Sequence, residues 1–324
     1  METVHAVLIA LAERYSFGDV AALVAAGADG LTEVEADRVQ TLCGFGQRLL
    51  ELDAEDFGDA DPHVIPTDLR ERALLCRMPQ AAGERHRGAL TSLRPAYALL
   101  LEIVEARWRR QETSALVAAV HIASEYAPML VWERVLGHAG DPLKLPAQVT
   151  GPDSAWGDFD DRDCPHTKAE KSAAQRALRV AQEPPTGWRA YLDRQHSNTS
   201  HALGVCAAAC HQPCTVLTRW NARQIALLTQ GSKLAQALND SAVVKLRHAA
   251  PVGHGFGVPT RAEVLDAWHR SRGALTQYAQ ATADDDGFPL PGLPALFSAL
   301  AGTPIHPSTL LRDTATALTK VLKG

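Results

Sequence analysis

Apolar residues recur along most of this chain at the three- and four-residue spacing of an α-helix. Val4, Val7, Leu8 and Leu11 form one such stripe near the N-terminus. From 116 to 123 almost every position is apolar, a pattern typical of a helix that is buried on all sides. Because such faces occur throughout the chain, the pattern predicts helices along most of its length.

Two sequence signals mark helix starts. Thr32-x-x-Glu35 and Thr260-x-x-Glu263 match the capping box, in which the threonine and the glutamate each bond a backbone N–H group at the helix start. The segment 242–246 (AVVKL) is the best candidate for a short strand, although it fits a helix end equally well. We therefore predict an all-α fold, a multi-helix bundle of about ten helices with little or no β-sheet.

The acidic, glycine-containing segment 53–66 interrupts the helical pattern and is predicted to be a surface linker. It divides the chain into an N-terminal helical segment, 1–58, and a main helical domain, 67–324. One continuous domain is the alternative, because length alone does not separate two domains from one. Two stretches rich in proline and aspartate, 139–168 and 284–294, are predicted to be long loops.

The composition is that of a soluble globular protein, with 46% hydrophobic and 21% charged residues. A nucleic-acid binder usually carries a basic face, and a net charge of −5 gives no sign of one. The apolar run that ends at Leu11 lacks a basic start and is too short for a membrane span. Six cysteines without a dense framework are typical of a reducing compartment. We expect a cytoplasmic protein with neither nucleic acid nor a membrane as a partner, and the oligomeric state is left open.

Side chains that can bind metal are most concentrated in the segment 196–214, which holds three histidines and three of the six cysteines. Cys206 and Cys210 lie four residues apart and share a helical face, and Cys214 follows Pro213. With His201, these thiols are ligand types that Zn²⁺ and Cu(I) prefer, although the spacing is not that of a zinc finger. The alternative is that Cys206 and Cys210 pack in a tight contact between helices.

Acid–histidine pairs at helical spacing suggest a second kind of metal site. Helical di-iron proteins bind their metals with Glu-x-x-His pairs and further carboxylates from facing helices. Here the histidine His121 stands out, because its apolar neighbours predict burial; the alternative is a core histidine with an ordinary hydrogen-bond partner. The residues predicted to form this site are Glu102, His121, Glu125, Asp193, His196, His201, Asp266 and His269. Oxygen and imidazole ligands dominate this set, so iron is the expected metal.

The glycine-rich segment 247–259 precedes a capped helix but lacks the phosphate-loop signature. It is predicted to be a turn, with the edge of a pocket as the functional alternative.

These patterns support three functional hypotheses. The leading hypothesis is a helical enzyme, metal-dependent in a non-haem di-iron-like way, that acts on a small molecule. The rival is a non-enzymatic helical protein that binds a partner or serves as a scaffold. The third is a zinc- or copper-binding helical protein that uses His201, Cys206, Cys210 and Cys214. An enzyme requires histidines of different helices to converge on one cavity, whereas a scaffold predicts dispersed histidines and an exposed apolar patch.

Overall fold

The computed structural model describes residues 2–27, 30–81, 84–151, 198–209, 217, 219–249 and 255–324. These residues form α-helices and short 3-10 helices, and no strand occurs among them, which confirms the predicted all-α fold. The predicted number of about ten helices is approximate. The α-helices are α1 Glu2–Glu13, α2 Phe17–Ala25, α3 Glu33–Glu51, α4 Thr67–Cys76, α5 Arg94–Arg109, α6 Thr113–Val131, α7 Glu133–Leu136, α8 Leu145–Val149, α9 Asn198–Ala209, α10 Ala222–Asn239, α11 Ala242–Lys245, α12 Arg261–Leu275, α13 Leu293–Ala301 and α14 Leu310–Lys323.

Local sequence signals account for three helix starts. Both predicted capping boxes are present: Thr32 caps α3 with Glu35, and Thr260 caps α12 with Glu263. A third box, Asn221 with Gln224, starts α10. The same rule predicts this third box, because asparagine caps helices as well as threonine and glutamine can replace glutamate.

Two segments are helical where a strand or a loop was predicted first, and for 242–246 the alternative prediction of a helix end is the one observed. Residues 242–246 are not a strand: Ala242–Lys245 is the short helix α11, and it continues into the 3-10 helix Leu246–Ala249. The predicted loop 139–168 contains α8, which begins with Pro146 in its first turn. Most of the remainder of that predicted loop lies outside the described residues.

The packing of the chain forms two compact units. Unit 1 comprises Met1–Met78, Pro95–Glu112 and His306–Gly324, and unit 2 comprises Pro79–Arg94 and Thr113–Ile305. Residues on both sides of the segment 53–66 belong to unit 1, so these units do not coincide with the predicted division at that segment. The division into an N-terminal helical segment and a main helical domain, with one continuous domain as the alternative, stays a prediction.

Unit 1 is built around α3, which packs against α2 and α14, while α14 also packs against α1. The core of this unit includes Phe17, whose ring lies so close to Gly46 that a Cβ there would approach it to 2.8 Å. The last helix of the chain is therefore part of the same core as the first three.

Unit 2 is built around α6 and α10, which pack against each other and against α9. Small residues allow the close approach: a Cβ on Gly231 of α10 would lie 2.5 Å from Val131, and one on Gly204 of α9 would lie 2.5 Å from Ser232. Trp132 is completely buried in this unit, and its indole N–H donates to the carbonyl of Ser200 at 3.0 Å.

One stretch among the described residues, Thr113–Leu136, is long and apolar enough to cross a membrane by its length and composition. Its 18-residue apolar window is 56% buried inside the structure. A core helix of a soluble protein passes the same test, so this helix is weak evidence for a membrane span. The predicted cytoplasmic location stays a prediction.

Candidate functional site

His121 and Glu125 lie one turn apart on α6 and contact each other. The distance between His121 Nε2 and Glu125 Oε1 is 3.0 Å. The pairing follows from the sequence, because side chains four residues apart share a helical face. The histidine side chain is 12% exposed and the glutamate side chain 28%, so the pair is largely shielded from water but still partly accessible from the surface.

A cation from a distant part of unit 2 completes this cluster. Arg247, in the 3-10 helix Leu246–Ala249, places its guanidinium Nη1 against His121 Nε2. This 3-10 helix and α11 both pack on α6, which brings Arg247 to a residue 126 positions earlier in the chain. We call His121, Glu125 and Arg247 the His121 cluster.

The second ring nitrogen of His121 has a different environment. Nδ1 is buried, and no described residue forms a hydrogen bond with it. An unsatisfied buried polar atom costs about 1–3 kcal/mol. Nε2, which faces Glu125 and Arg247, is therefore the ring nitrogen with partners among the described residues.

Glu102, another predicted site residue, lies in unit 1 and has a local structural partner. It is 3% exposed, and its two carboxylate oxygens accept the backbone N–H groups of Leu311 and Arg312 at 3.2 and 3.0 Å. These donors lie in the first turn of α14, where backbone N–H groups have no partner within the helix. Burial raises the pKa of Glu102, while the two backbone hydrogen bonds act in the opposite direction.

Asp266 and His269 lie on the exposed side of α12. The Asp266 carboxylate pairs with Arg270 at 2.5 Å, one turn further along the same helix. His201 is half-buried on α9, and Asp193 and His196 lie outside the described residues. The part of the chain that the structure describes thus brings together only His121 and Glu125 of the predicted site residues.

The predicted metal sites find no support in the described ranges, where no three His, Cys, Asp or Glu side chains are grouped so that they could hold a metal ion. Cys206 is 1% exposed, on a helix that packs closely on α10, as expected of a cysteine that fills a helix contact. Cys210 and Cys214 lie outside the described residues. Iron, zinc and copper binding stay predictions.

A cleft of about 310 Å³ in unit 2 was not predicted from the sequence. Arg134 lies at its wall together with Tyr278, Gln230 and Gln280. The sequence holds a weak signal for it, an arginine that comes soon after an apolar helix. That signal does not show which acidic side chains lie near the arginine in the folded chain.

A larger cleft, of about 500 Å³, lies in unit 1 between α3, α4 and α14. Charged side chains of both signs line it, among them Arg38, Asp68 and Lys320. Two of its acids have local partners, since Glu35 belongs to the capping box of α3 and Asp313 pairs with Arg72 at 2.7 Å. The lining of this cleft therefore does not favour a ligand of one particular charge.

No protein-family model matches this chain, and no curated protein and no solved structure matches it. A function for this protein must therefore be inferred from its all-α fold and from the geometry of its sites.

Proposed function

We propose that the protein is an α-helical enzyme that acts on a small molecule, with His121 as its acid–base group. The observation that supports this proposal is the His121 cluster, where an imidazole nitrogen lies between a carboxylate and a guanidinium. Histidine is the side chain most often used for proton transfer near neutral pH.

The two neighbours of Nε2 favour opposite forms of the ring. When Nε2 carries a proton it can donate that proton to Glu125, and when it is bare it can accept an N–H from Arg247. Each form of the ring thus has a partner in the cluster. A group that gains and loses a proton in each catalytic cycle passes through both forms.

Arg247 gives the proposed substrate a chemical character. Its guanidinium is a planar cation that can pair with a carboxylate, a phosphate or a developing oxyanion. A substrate that draws Arg247 to itself would leave Nε2 available to that substrate, while Glu125 holds the imidazole in place. We therefore propose a small polar substrate with an anionic group near the atom that exchanges the proton.

The metal-dependent form of this proposal needs more ligands. Nε2 and Oε1, 3.0 Å apart, could both face one metal ion, but the Arg247 cation at Nε2 opposes a metal cation at that place. An iron site would have to draw on His201 or on Asp193 and His196. Elemental analysis of protein purified without added metal tests it: two irons per chain would support the di-iron form.

The acid–base proposal is tested by the imidazole nitrogen shifts of ¹⁵N-labelled histidine at constant pH. Removing the guanidinium in Arg247→Gln should raise the fraction of His121 that carries a proton on Nε2, and Glu125→Gln should lower it. Arg270→Gln, which removes an exposed arginine of the same unit, should change neither. If the ring keeps one form in all these proteins, the cluster is a fixed structural network and the proposal fails.

Turnover provides the second readout. Incubation of the full chain with small-molecule mixtures, followed by mass spectrometry, should reveal a compound that the wild type converts. His121→Gln should lower that rate by about 10²–10⁴, the usual contribution of one acid–base group.

One observation favours the rival, a partner-binding protein. Phe256 is 104% exposed and Val258 62%, beside Pro259, whose carbonyl accepts a hydrogen bond from Thr113. Contiguous exposed apolar patches mark docking sites, and under this alternative Phe256 and Val258 would form part of one. In that case Phe256→Ser would abolish capture of an apolar partner, and His121→Gln would leave it unchanged.

A further inference from the structure

Arg134 is a half-buried cation that has no counter-ion in the part of the chain that the structure describes. It forms no hydrogen bond or ion pair with any residue in the described ranges, and no acidic side chain lines its cleft. Its neighbour Glu133 is fully engaged, since it accepts from the Leu93 N–H group and from Ser92 at 2.9 Å and pairs with Arg94 at 3.0 Å. Burial lowers the pKa of Arg134, which reflects the cost of desolvating its charge.

The surrounding chain holds this arginine across the end of α13. Gly302 follows α13 in the left-handed conformation, with φ +74°, and a Cβ there would lie 2.8 Å from Arg134 Cγ and 3.0 Å from Nε. Glycine thus leaves room for the arginine stem. The carbonyl end of α13 carries only a fraction of a negative charge, so it attracts the guanidinium without replacing an anion.

We infer that this cleft is a binding site for a small organic anion whose carboxylate or phosphate group pairs with Arg134. The guanidinium presents parallel N–H donors that match both groups. A volume of about 310 Å³ is at the lower end of small-ligand pockets, so the ligand is small. Leu234 and Ala299 offer contacts to a short carbon skeleton, and the amides of Gln230 and Gln280 offer polar contacts.

This site is separate from the His121 cluster. Val131 lies ten positions after His121, which corresponds to about 15 Å along α6, and Arg134 follows beyond the end of that helix. Anion binding at Arg134 can therefore fail or succeed independently of acid–base chemistry at His121.

Titration of the full chain with inorganic phosphate and, separately, with succinate, in buffer that lacks both and lacks chloride, tests the inference. The wild type should bind at least one probe, and the amide signals of Ala279 and Gly302 should shift. R134Q should weaken binding about tenfold or more, because a hydrogen bond between charged groups is lost. R134K, which keeps the charge but loses the planar fork, should fall between the two.

Arg270→Gln is the matched control and should bind as the wild type does, because Arg270 is exposed and already paired with Asp266. R134Q should also be at least as resistant to heat as the wild type without ligand, since it removes an uncompensated charge. If the wild type binds neither probe, or if R134Q binds with unchanged affinity, the inference is overturned.

Discussion

Arg87 and Asp141 form a buried ion pair in unit 2. The distance between Arg87 Nη2 and Asp141 Oδ2 is 2.6 Å, and the side chains are only 6% and 2% exposed. The Arg87 Nε–H donates to the same oxygen at 3.1 Å. Their mutual attraction is what makes two charges tolerable at this depth.

Removing either partner alone should destabilise the protein strongly. Arg87→Met or Asp141→Leu leaves one buried charge without a counter-ion, and each is expected to cost about 3–5 kcal/mol of unfolding free energy. The double variant should cost less than the sum of the two. Urea denaturation measures all three, and the exposed pair Arg270 and Asp266 provides the control, with an expected effect below about 1 kcal/mol. Additive effects at Arg87 and Asp141 would contradict the prediction.

The raised pKa of Glu102 predicts that the stability of the protein depends on pH. Burial raises its pKa above the ordinary value of 4.5, so the folded protein binds this proton more tightly than the unfolded chain does. Its contribution to stability is therefore complete below about pH 4.5 and is lost as the pH rises through the raised pKa. Each tenfold difference in proton affinity between the folded and unfolded states corresponds to about 1.4 kcal/mol. Denaturation across this pH range measures the free energy of unfolding of the wild type and of Glu102→Gln. The value for the wild type should fall relative to that for Glu102→Gln as the pH rises.

The exposed Glu35 is the control with the opposite sign. Its hydrogen bonds with Thr32 lower its pKa, so its contribution is present above the ordinary value and is lost as the pH falls through the lowered value. The difference between the wild type and Glu35→Gln should therefore grow as the pH rises. The same slope for both variants would refute the assignment.

Two buried cysteines in unit 1 should be inert. Burial raises the pKa of Cys43 and of Cys76 to about 12, so almost none of either is thiolate at pH 8. Treatment of the native protein with an alkylating reagent, followed by peptide mass spectrometry, should leave both unmodified. Labelling should become complete in urea. Rapid labelling of either thiol before unfolding would show that its environment is open.

The close helix packing of unit 2 can be tested with two glycines. A Cβ on Gly231 would lie 2.5 Å from Val131, so Gly231→Ala should destabilise the protein by about 1–3 kcal/mol despite the better helix propensity of alanine. Gly273, on α12, has open space around it, and Gly273→Ala should stabilise the protein by about 0.5–1 kcal/mol. Thermal unfolding compares the two variants, and a higher melting temperature for Gly231→Ala than for the wild type would contradict the close contact with Val131.

Local interactions were predictable from the sequence. The capping boxes at Thr32 and Thr260 fix helix starts because their partners lie three residues away. The contact between His121 and Glu125 is local in the same sense. The pairing of Asp266 with Arg270 was equally readable, and it competes with a role for Asp266 beside His269.

Contacts between distant segments were not predictable. Arg247 approaches His121 across 126 positions, and no periodicity links the two residues. Residues 242–246 fit two local structures, and the helix observed there packs against α6 and α12. The electrostatic environment of Arg134 depends on Glu133 being engaged with Arg94, which only the folded arrangement of unit 2 determines.

Unit 1 is built from three separate stretches of the chain, and this affects how it can fold during synthesis. The helix α14 belongs to the same core as α1 and α3, but all of unit 2 lies between them in sequence. The ribosome therefore synthesises all of unit 2 before it reaches α14. Until then, the apolar faces of α1 and α3 that α14 covers in the folded protein stay exposed. We expect chaperones to bind the nascent chain during that interval, and we expect unit 2 to fold before unit 1 is complete.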